Sequence, residues 1–123
     1  MSKVFFTHGG ADANENAMRM ARLHTGRDKV LSAYRSYHGN TGSDVVATGD
    51  WRRVPNEYAR AHVHFFETVV GTGGVLVPPP GYLAGVRGLA DRYGIVLILD
   101  EVMAGSAGRG RGSPSSTSTW CLT

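Results

Sequence analysis

An unbroken apolar run, Ile95-Val96-Leu97-Ile98-Leu99, ends at Asp100 and constrains the fold more than any other feature of the sequence. Such a run, without polar alternation, is typical of a strand that is buried on both faces of a parallel sheet. A helix should precede it, because Leu83, Val86, Ala90 and Tyr93 recur at helical spacing and Gly94 follows as a C-terminal cap. The end of the chain that carries Asp100 is therefore predicted to be a helix followed by a buried strand.

The beginning of the chain repeats this alternation. Residues 3–7 (KVFFT) predict a short strand, and His8-Gly9-Gly10 predicts a tight turn that can approach a ligand closely. A helix should follow, with Asp12 and Glu15 as a capping pair and Gly26 as its terminator. Ala13, Ala17, Met20 and Ala21 would form its apolar face.

Further strands are predicted at residues 29–34 and 62–70, with a loop over 36–42 and strong breakers at 71–74 and 78–81. Residues 43–60 carry no clear pattern. Strands that alternate with helices predict an α/β fold with a mostly parallel sheet. Ligands gather at the carboxyl ends of such strands. Four residues are expected there: Gly9, Gly10, Tyr37 and Asp100.

Residues 105–123 differ in composition, since 13 of the 19 are Gly, Ser, Thr or Pro. Without apolar periodicity, this tail is predicted to be disordered. The chain as a whole has the composition of an ordinary globular protein, with 41% apolar and 19% charged residues among 123.

The charge distribution argues against nucleic-acid binding. The net charge is +3, of which +2 comes from Arg109 and Arg111 in the tail, so no basic face is implied.

No apolar stretch is long enough for a signal peptide or a membrane span, so no membrane association is expected. Because Cys121 is the only cysteine, no intramolecular disulfide can form, and the cytoplasm is the expected location.

Several reaction classes lack a necessary part. Asp100-Glu101 after an apolar strand is typical of nucleotide hydrolases, but the chain has no Gly-Lys pair for a phosphate loop. His8-Gly9-Gly10 resembles an esterase oxyanion loop, but no G-x-S-x-G motif accompanies it. His62 and His64 share a strand face without a third ligand, so no metal site is predicted. A purely structural strand end at Asp100 stays open.

The remaining features fit pyridoxal phosphate. A helix N-terminus beside Gly10 can bind a phosphate, and Tyr37 can stack on a planar ring. Asp100 can hold a pyridine nitrogen protonated, as the cofactor needs to act as an electron sink. The order of these three features along the chain favours this interpretation over each one alone.

The sequence resembles class III aminotransferases, the fold-type I group that includes omega-amino-acid:pyruvate transaminases. The likeness lies in four segments: Phe6 to Ala17, Tyr34 to Gly39, Gly71 to Gly74 with the prolines and Tyr82, and Leu99 to Val102. It implies a partial fold-type I large domain over residues 1–104. It also implies pyridoxal 5'-phosphate as cofactor, an amine and a 2-oxo acid as substrates, and a homodimer.

By the same resemblance, Gly9, Gly10 and Ala11 form the cofactor-phosphate loop. Tyr37, in the Tyr-His-Gly loop with His38, stacks on one face of the cofactor ring. The ring nitrogen pairs with Asp100, and Val102 packs on the opposite face. Glu67 matches a glutamate near the substrate.

Three departures from the family pattern imply that the chain does not catalyse transamination by itself. The family's Schiff-base lysine follows the Asp100 motif, whereas Lys3 and Lys29, the only lysines, both precede it. The family has a longer segment where this chain has residues 61–67, which indicates an internal deletion. The family's N-terminal part and small domain are not represented.

The tail is interpreted as a frameshift after about Gly105, because one permitted codon choice for residues 112–123 spells a family-like continuation in a shifted frame. A natural low-complexity tail is the alternative. For the whole chain, two alternatives to an aminotransferase fragment stay open: a non-catalytic protein that binds the cofactor or caps a partner subunit, and an unfolded pseudogene product.

Overall fold

The computed structural model describes residues 3–65, 78–102 and 121–122, with side chains for 3–56 and 78–102. The helices are α1 (Gly10–Thr25), α2 (Gly42–Val46), a 3₁₀ segment (Trp51–His62) and α3 (Tyr82–Tyr93). The strands are β1 (Val30–Ser32), β2 (Val63–Phe65), β3 (Ile98–Leu99) and β4 (Cys121–Leu122). Helices and strands thus alternate along most of the described chain.

Helix α1 begins at Gly10 and is followed directly by a glycine cap, Gly26. Its first hydrogen bond runs from the Ala13 N–H to the Gly9 carbonyl, at 3.0 Å. Gly26 ends it in the left-handed conformation, with φ of 66°, as the sequence predicted. The predicted capping pair is wrong, because the helix starts two residues before Asp12. Asp12 instead accepts a hydrogen bond from the His8 N–H, and Glu15 bonds to α2.

Strands β1 and β2 pair in parallel, with Val30 opposite Val63 and Ser32 opposite Phe65. This confirms a parallel pairing between the two predicted strand regions, although β1 is shorter than predicted and residues 66–70 lie outside the described part.

The predicted strand over residues 3–7 is wrong. Within the described residues no strand lies beside it to complete a hydrogen-bonded ladder, and Val4, Phe5 and Phe6 are exposed.

Helix α3 ends at Gly94, which is left-handed with φ of 60°, as predicted. The following apolar run differs from its prediction. Only Ile98 and Leu99 form a strand, β3, which pairs antiparallel with β4, and residues 95–100 are half-buried rather than buried. Among the described residues β3 has one strand neighbour, so one of its edges is not covered by a strand. Cys121 and Leu122, in the tail that was predicted to be disordered, form β4, and residues 103–120 and 123 lie outside the described part.

The core lies where α2 packs against α1 and against the 3₁₀ segment. The buried apolar residues of the described chain are mostly small: Ala13, Ala17, Met18, Ala33, Val45, Val46, Ala47 and, in α3, Ala90. Four buried polar residues accompany them: Asn14, Ser32, Asp44 and Thr48. The predicted apolar face of α1 is correct for Ala13 and Ala17, whereas Met20 is exposed and Met18 takes its place. Within the described chain no helix has the length and apolarity needed to cross a membrane.

Candidate functional site

Three side chains from distant parts of the sequence meet at the end of β3. The Oδ2 atom of Asp100 lies 2.7 Å from the Nδ1 atom of His38. The same oxygen accepts a hydrogen bond of 3.1 Å from the amide of Asn14, in α1. That amide also donates to the carbonyl of His38, at 2.5 Å. The Asn14 side chain thus links α1 to both residues.

These contacts keep Asp100 ionised. Burial by itself would raise the pKa of Asp100, because it removes water from the charged form. Burial is the largest single influence, but the hydrogen bonds from His38, the Val102 N–H and the Asn14 amide, with the attraction of His38, together outweigh it, so the pKa lies below its usual range. The result is a half-buried carboxylate that carries its negative charge at neutral pH.

His38 is fixed from its other side by the interior of the fold. Its Nε2 atom lies 3.1 Å from the hydroxyl of Ser32, the last residue of β1. Ser32 in turn donates to the carbonyl of Ala47, just after α2, at 2.8 Å. The imidazole therefore stands between a charged carboxylate and a buried hydroxyl.

The first residue of α1 lies against the segment that follows Asp100. A Cβ atom placed on Gly10 would lie 3.3 Å from the Cγ2 atom of Val102, so the Gly10 backbone approaches the Val102 side chain closely. The first N–H groups of a helix have no partner within the helix. The Gly10 and Ala11 N–H groups therefore have no partner within α1, at the helix end that lies beside Val102.

Tyr37 lies beside Arg52 and is partly exposed. It is 42% exposed, and the Arg52 guanidinium lies over its ring with 4.6 Å between Cζ and the ring centroid. Asp50 holds Arg52 through two hydrogen bonds, of 2.9 and 3.2 Å. One face of the Tyr37 ring is thus occupied by a cation that a carboxylate orients.

The loop that carries His38 is supported by a second, buried carboxylate. Gly39 has φ of 144°, and a Cβ there would collide with the Asp44 carboxylate and come within 2.7 Å of the Ala11 Cβ. Asp44 accepts a 2.6 Å hydrogen bond from the Thr41 N–H. Its pKa is raised to about 6, chiefly by burial and in part by the neighbouring Glu15, against the opposing Thr41 bonds.

Glu15 joins α1 to the same loop. Its Oε1 atom accepts hydrogen bonds from the N–H groups of Ser43 and Asp44, at 2.5 and 3.2 Å. Its carboxylate therefore satisfies the first N–H groups of α2 from a different helix. Helix α1 fixes the His38 loop at two points, through Asn14 and through Glu15.

The structure brings together four of the predicted site residues: Gly10, His38, Asp100 and Val102. Ala11 lies next to Gly10 and close to Gly39, whereas Gly9 is exposed and Tyr37 contacts Arg52. Glu67 lies outside the described residues, and so do the side chains of His62 and His64.

Sequence reasoning missed four supporting residues: Asn14, Glu15 as a cap for α2, Ser32 and Asp44. The one available signal was at Asn14, which falls on the apolar face of α1 between Ala13 and Ala17. A polar residue on such a face needs a buried hydrogen-bond partner. Cavities of about 370 and 300 Å³ lie elsewhere, beside Arg27 and Arg52 respectively.

The sequence profile of the class III aminotransferases matches residues 52–113, which is 62 of the 123 residues. The chain belongs to the class III aminotransferase family. It is 37% identical to the acetylornithine aminotransferase of Methanothermobacter thermautotrophicus, over 84% of this chain and 32% of that enzyme. It is 36% identical to the Mycobacterium bovis acetylornithine aminotransferase, over 85% of this chain and 31% of that enzyme. The chain spans about a third of the length of the relatives it matches.

Solved aminotransferase structures share the fold. A taurine:2-oxoglutarate aminotransferase from Bifidobacterium kashiwanohense, solved in complex with PLP and glutamate, superposes with a TM-score of 0.79 and 39% identity. The match covers 85% of this chain and 34% of that one. A Bacillus anthracis aminotransferase superposes with a TM-score of 0.80 at 24% identity, over 92% and 35% of the two chains. The predicted α/β fold, part of a fold-type I aminotransferase large domain, is therefore confirmed.

Proposed function

We propose that this class III aminotransferase chain is the cofactor-binding part of a transaminase and that it binds pyridoxal 5'-phosphate at Asp100. The parent reaction transfers an amino group from an amine or amino acid to a 2-oxo acid such as pyruvate. The observation that carries the proposal is the ionised Asp100 carboxylate, which His38 and Asn14 hold at the end of β3 beside the N-terminus of α1.

The donor set at Asp100 fits a protonated pyridine nitrogen. Its Oδ2 atom accepts from His38 and Asn14, while Oδ1 accepts from the Val102 N–H at 3.1 Å. A carboxylate oxygen has two lone pairs. Within the described residues, Oδ1 thus has capacity for one more donor, which the ring N–H would supply. A negative carboxylate beside that nitrogen favours its protonated form.

The other cofactor contacts follow from the surroundings of Asp100. The proposal assigns the phosphate to the turn at Gly9 and to the N–H groups of Gly10 and Ala11, where the α1 dipole favours an anion. Val102, in contact range of Gly10, would cover one ring face. Tyr37 would cover the other face with the side of its ring that Arg52 does not occupy.

The cofactor, when bound, supplies the electron sink for the parent reaction. This chain's residues bind and orient the ring and keep a negative charge at its nitrogen. Lys3 and Lys29, the only lysines, precede the Asp100 motif. We therefore propose that the chain binds the cofactor without completing transamination. Glu67 is kept as the substrate-side residue of the parent enzyme.

The test uses pyridoxamine 5'-phosphate, which has the ring and phosphate of the cofactor but no aldehyde to react with surface amines. Its binding is followed by absorbance, alongside far-ultraviolet circular dichroism. We expect saturable binding by a folded chain. Asp100→Asn should weaken binding about ten- to hundredfold, because it replaces a charge-assisted bond worth about 1.5–3 kcal/mol.

Asp91→Asn is the matched control, since Asp91 lies at the exposed end of α3 and pairs with Arg87. It should bind the ligand as wild type does. Equal binding by the Asp100 and Asp91 variants would refute the site. A folded chain that binds the ligand, but does not raise the transaminase activity of a full-length relative when the two are mixed, would support a non-catalytic binding protein. A chain without a folded spectrum would support a pseudogene product.

Four further parts of the proposal rest on sequence reasoning. These are the cytoplasmic location, the homodimer, the internal deletion near residues 61–67 and the frameshifted tail at 105–123. The coding DNA decides the last one: a shifted frame that encodes no family-like sequence would refute the frameshift.

A further inference from the structure

A cluster of buried hydroxyl groups lies behind His38, on the side away from Asp100. Ser32, which is 5% exposed, contacts Nε2 of His38 at 3.1 Å and the Ala47 carbonyl at 2.8 Å. Ser36 reaches the same carbonyl at 3.1 Å and donates to the Ala33 carbonyl at 2.7 Å. Of these two serines, Ser32 is the one within hydrogen-bond distance of the imidazole.

The protons of this cluster can be assigned by elimination. The ionised Asp100 carboxylate can only accept, so Nδ1 of His38 must carry a proton. When His38 is neutral, Nε2 is an acceptor, and the Ser32 hydroxyl can donate to it. The Ala47 carbonyl then gives up the Ser32 proton, and the single Ser36 proton is shared between the Ala33 carbonyl at 2.7 Å and the Ala47 carbonyl at 3.1 Å.

When His38 carries two protons, the roles at Ser32 reverse. Nε2–H donates to Ser32, and the Ser32 hydroxyl turns to the Ala47 carbonyl. A hydroxyl both donates and accepts, so one rotation adapts it to either state. In each state the imidazole keeps both of its hydrogen bonds.

We propose that Ser32 is a positioning residue for the cofactor site. Its hydroxyl holds Nε2 in either protonation state, so that Nδ1–H stays on Oδ2 of Asp100 and leaves Oδ1 to the ring nitrogen of the cofactor. Without that hydroxyl, the imidazole has one anchor instead of two. This inference rests on the proposed cofactor site, but the Ser32–His38 contact can be tested without any ligand.

The first measurement is a long-range ¹H–¹⁵N NMR spectrum of the histidine side chains in the uniformly labelled chain. The Nδ1 signal of His38 should show a bound proton. Ser32→Ala should move the Nε2 signal, because it removes the bonded hydroxyl. Ser32→Thr keeps the hydroxyl and suits a strand, so it should restore the wild-type signal.

Ser36→Ala is the matched control. It removes a hydroxyl that lies 3.4 Å from the Ser32 hydroxyl and 3.1 Å from the same Ala47 carbonyl, but that makes no hydrogen bond to His38 among the described residues. Loss of packing alone would affect both alanine variants, whereas only Ser32→Ala should move the Nε2 signal. If Ser32→Ala does not fold, Ser32→Cys replaces it, because the thiol is a weaker donor than the hydroxyl. The Nε2 signal of Ser32→Cys is then compared with that of Ser36→Ala.

The second measurement is the affinity for pyridoxamine 5'-phosphate. Ser32→Ala should weaken binding about three- to tenfold, as expected for one lost hydrogen bond, while Ser32→Thr and Ser36→Ala should bind as wild type does. An unchanged Nε2 signal in Ser32→Ala would overturn the inference. A moved signal with no ligand binding in any variant would instead refute the proposed function and retain the Ser32–His38 contact.

Discussion

Asp44 should make the stability of this chain depend on pH in the direction opposite to that of most carboxylates. It is fully buried, beside Glu15, and its pKa is raised from 3.8 to about 6 in the folded state. The folded chain therefore binds the Asp44 proton more tightly than the unfolded chain does. Its contribution to stability is fully present below pH 3.8 and is lost as the pH rises towards 6.

The size of the effect follows from the shift. One pKa unit corresponds to about 1.36 kcal/mol, so a shift of about two units destabilises the folded chain by about 3 kcal/mol at neutral pH. Asp44→Asn removes this charge. The oxygen of the introduced amide can still accept from the Thr41 N–H, and its NH₂ group can donate to the Thr41 hydroxyl, which in turn can donate to Glu15.

We therefore expect Asp44→Asn to be more stable than wild type by up to about 3 kcal/mol at pH 7, with the difference falling towards zero at about pH 4. Urea unfolding followed by circular dichroism, at one-unit pH intervals, measures it. Asp12→Asn removes an exposed carboxylate from α1. The free energy of unfolding of this control should vary with pH as that of the wild type does. Parallel curves for Asp44→Asn and wild type would refute the reasoning.

Other substitutions test the site's surroundings. Gly39→Ala should destabilise the chain by about 1–3 kcal/mol, because residue 39 has a positive φ and the added Cβ would collide with Asp44. Gly85→Ala, in open space on α3, should stabilise the chain by about 1 kcal/mol. The midpoints of urea unfolding measure both effects. Asn14→Asp should destabilise the neutral-pH fold and raise the pKa of Asp100 by placing a second carboxylate beside it, which a ¹³C carboxyl titration detects. The lowered pKa of Asp100 adds stability above pH 3.8 that is lost as the pH falls further, so an acid-unfolding series should show this loss in wild type and not in Asp100→Asn.

The sequence by itself determined the class of fold and the main members of the site. Glycines set the ends of α1 and α3, because Gly26 and Gly94 adopt a left-handed conformation that other residues avoid. The ordered motifs around Gly10, His38 and Asp100 indicated the family. These features are local, since each depends on the backbone preferences or chemistry of a few neighbouring residues.

Only the tertiary structure decided which groups support the site. Asn14 bonds to Asp100 across 86 positions of sequence, and Glu15 caps a helix 28 residues away. Ser32 meets His38 because β1 and the following loop turn back on each other. No local pattern contains such pairings, since each arises from packing between separate elements.

The same reason explains the predictions that were wrong. An apolar run at residues 95–99 and a strand-like run at 3–7 have suitable side chains, but a strand forms only where another strand supplies its hydrogen bonds. Whether that neighbour exists depends on the whole fold. Side-chain chemistry was therefore readable from the sequence, whereas strand pairing and the burial that follows from it were settled by tertiary packing.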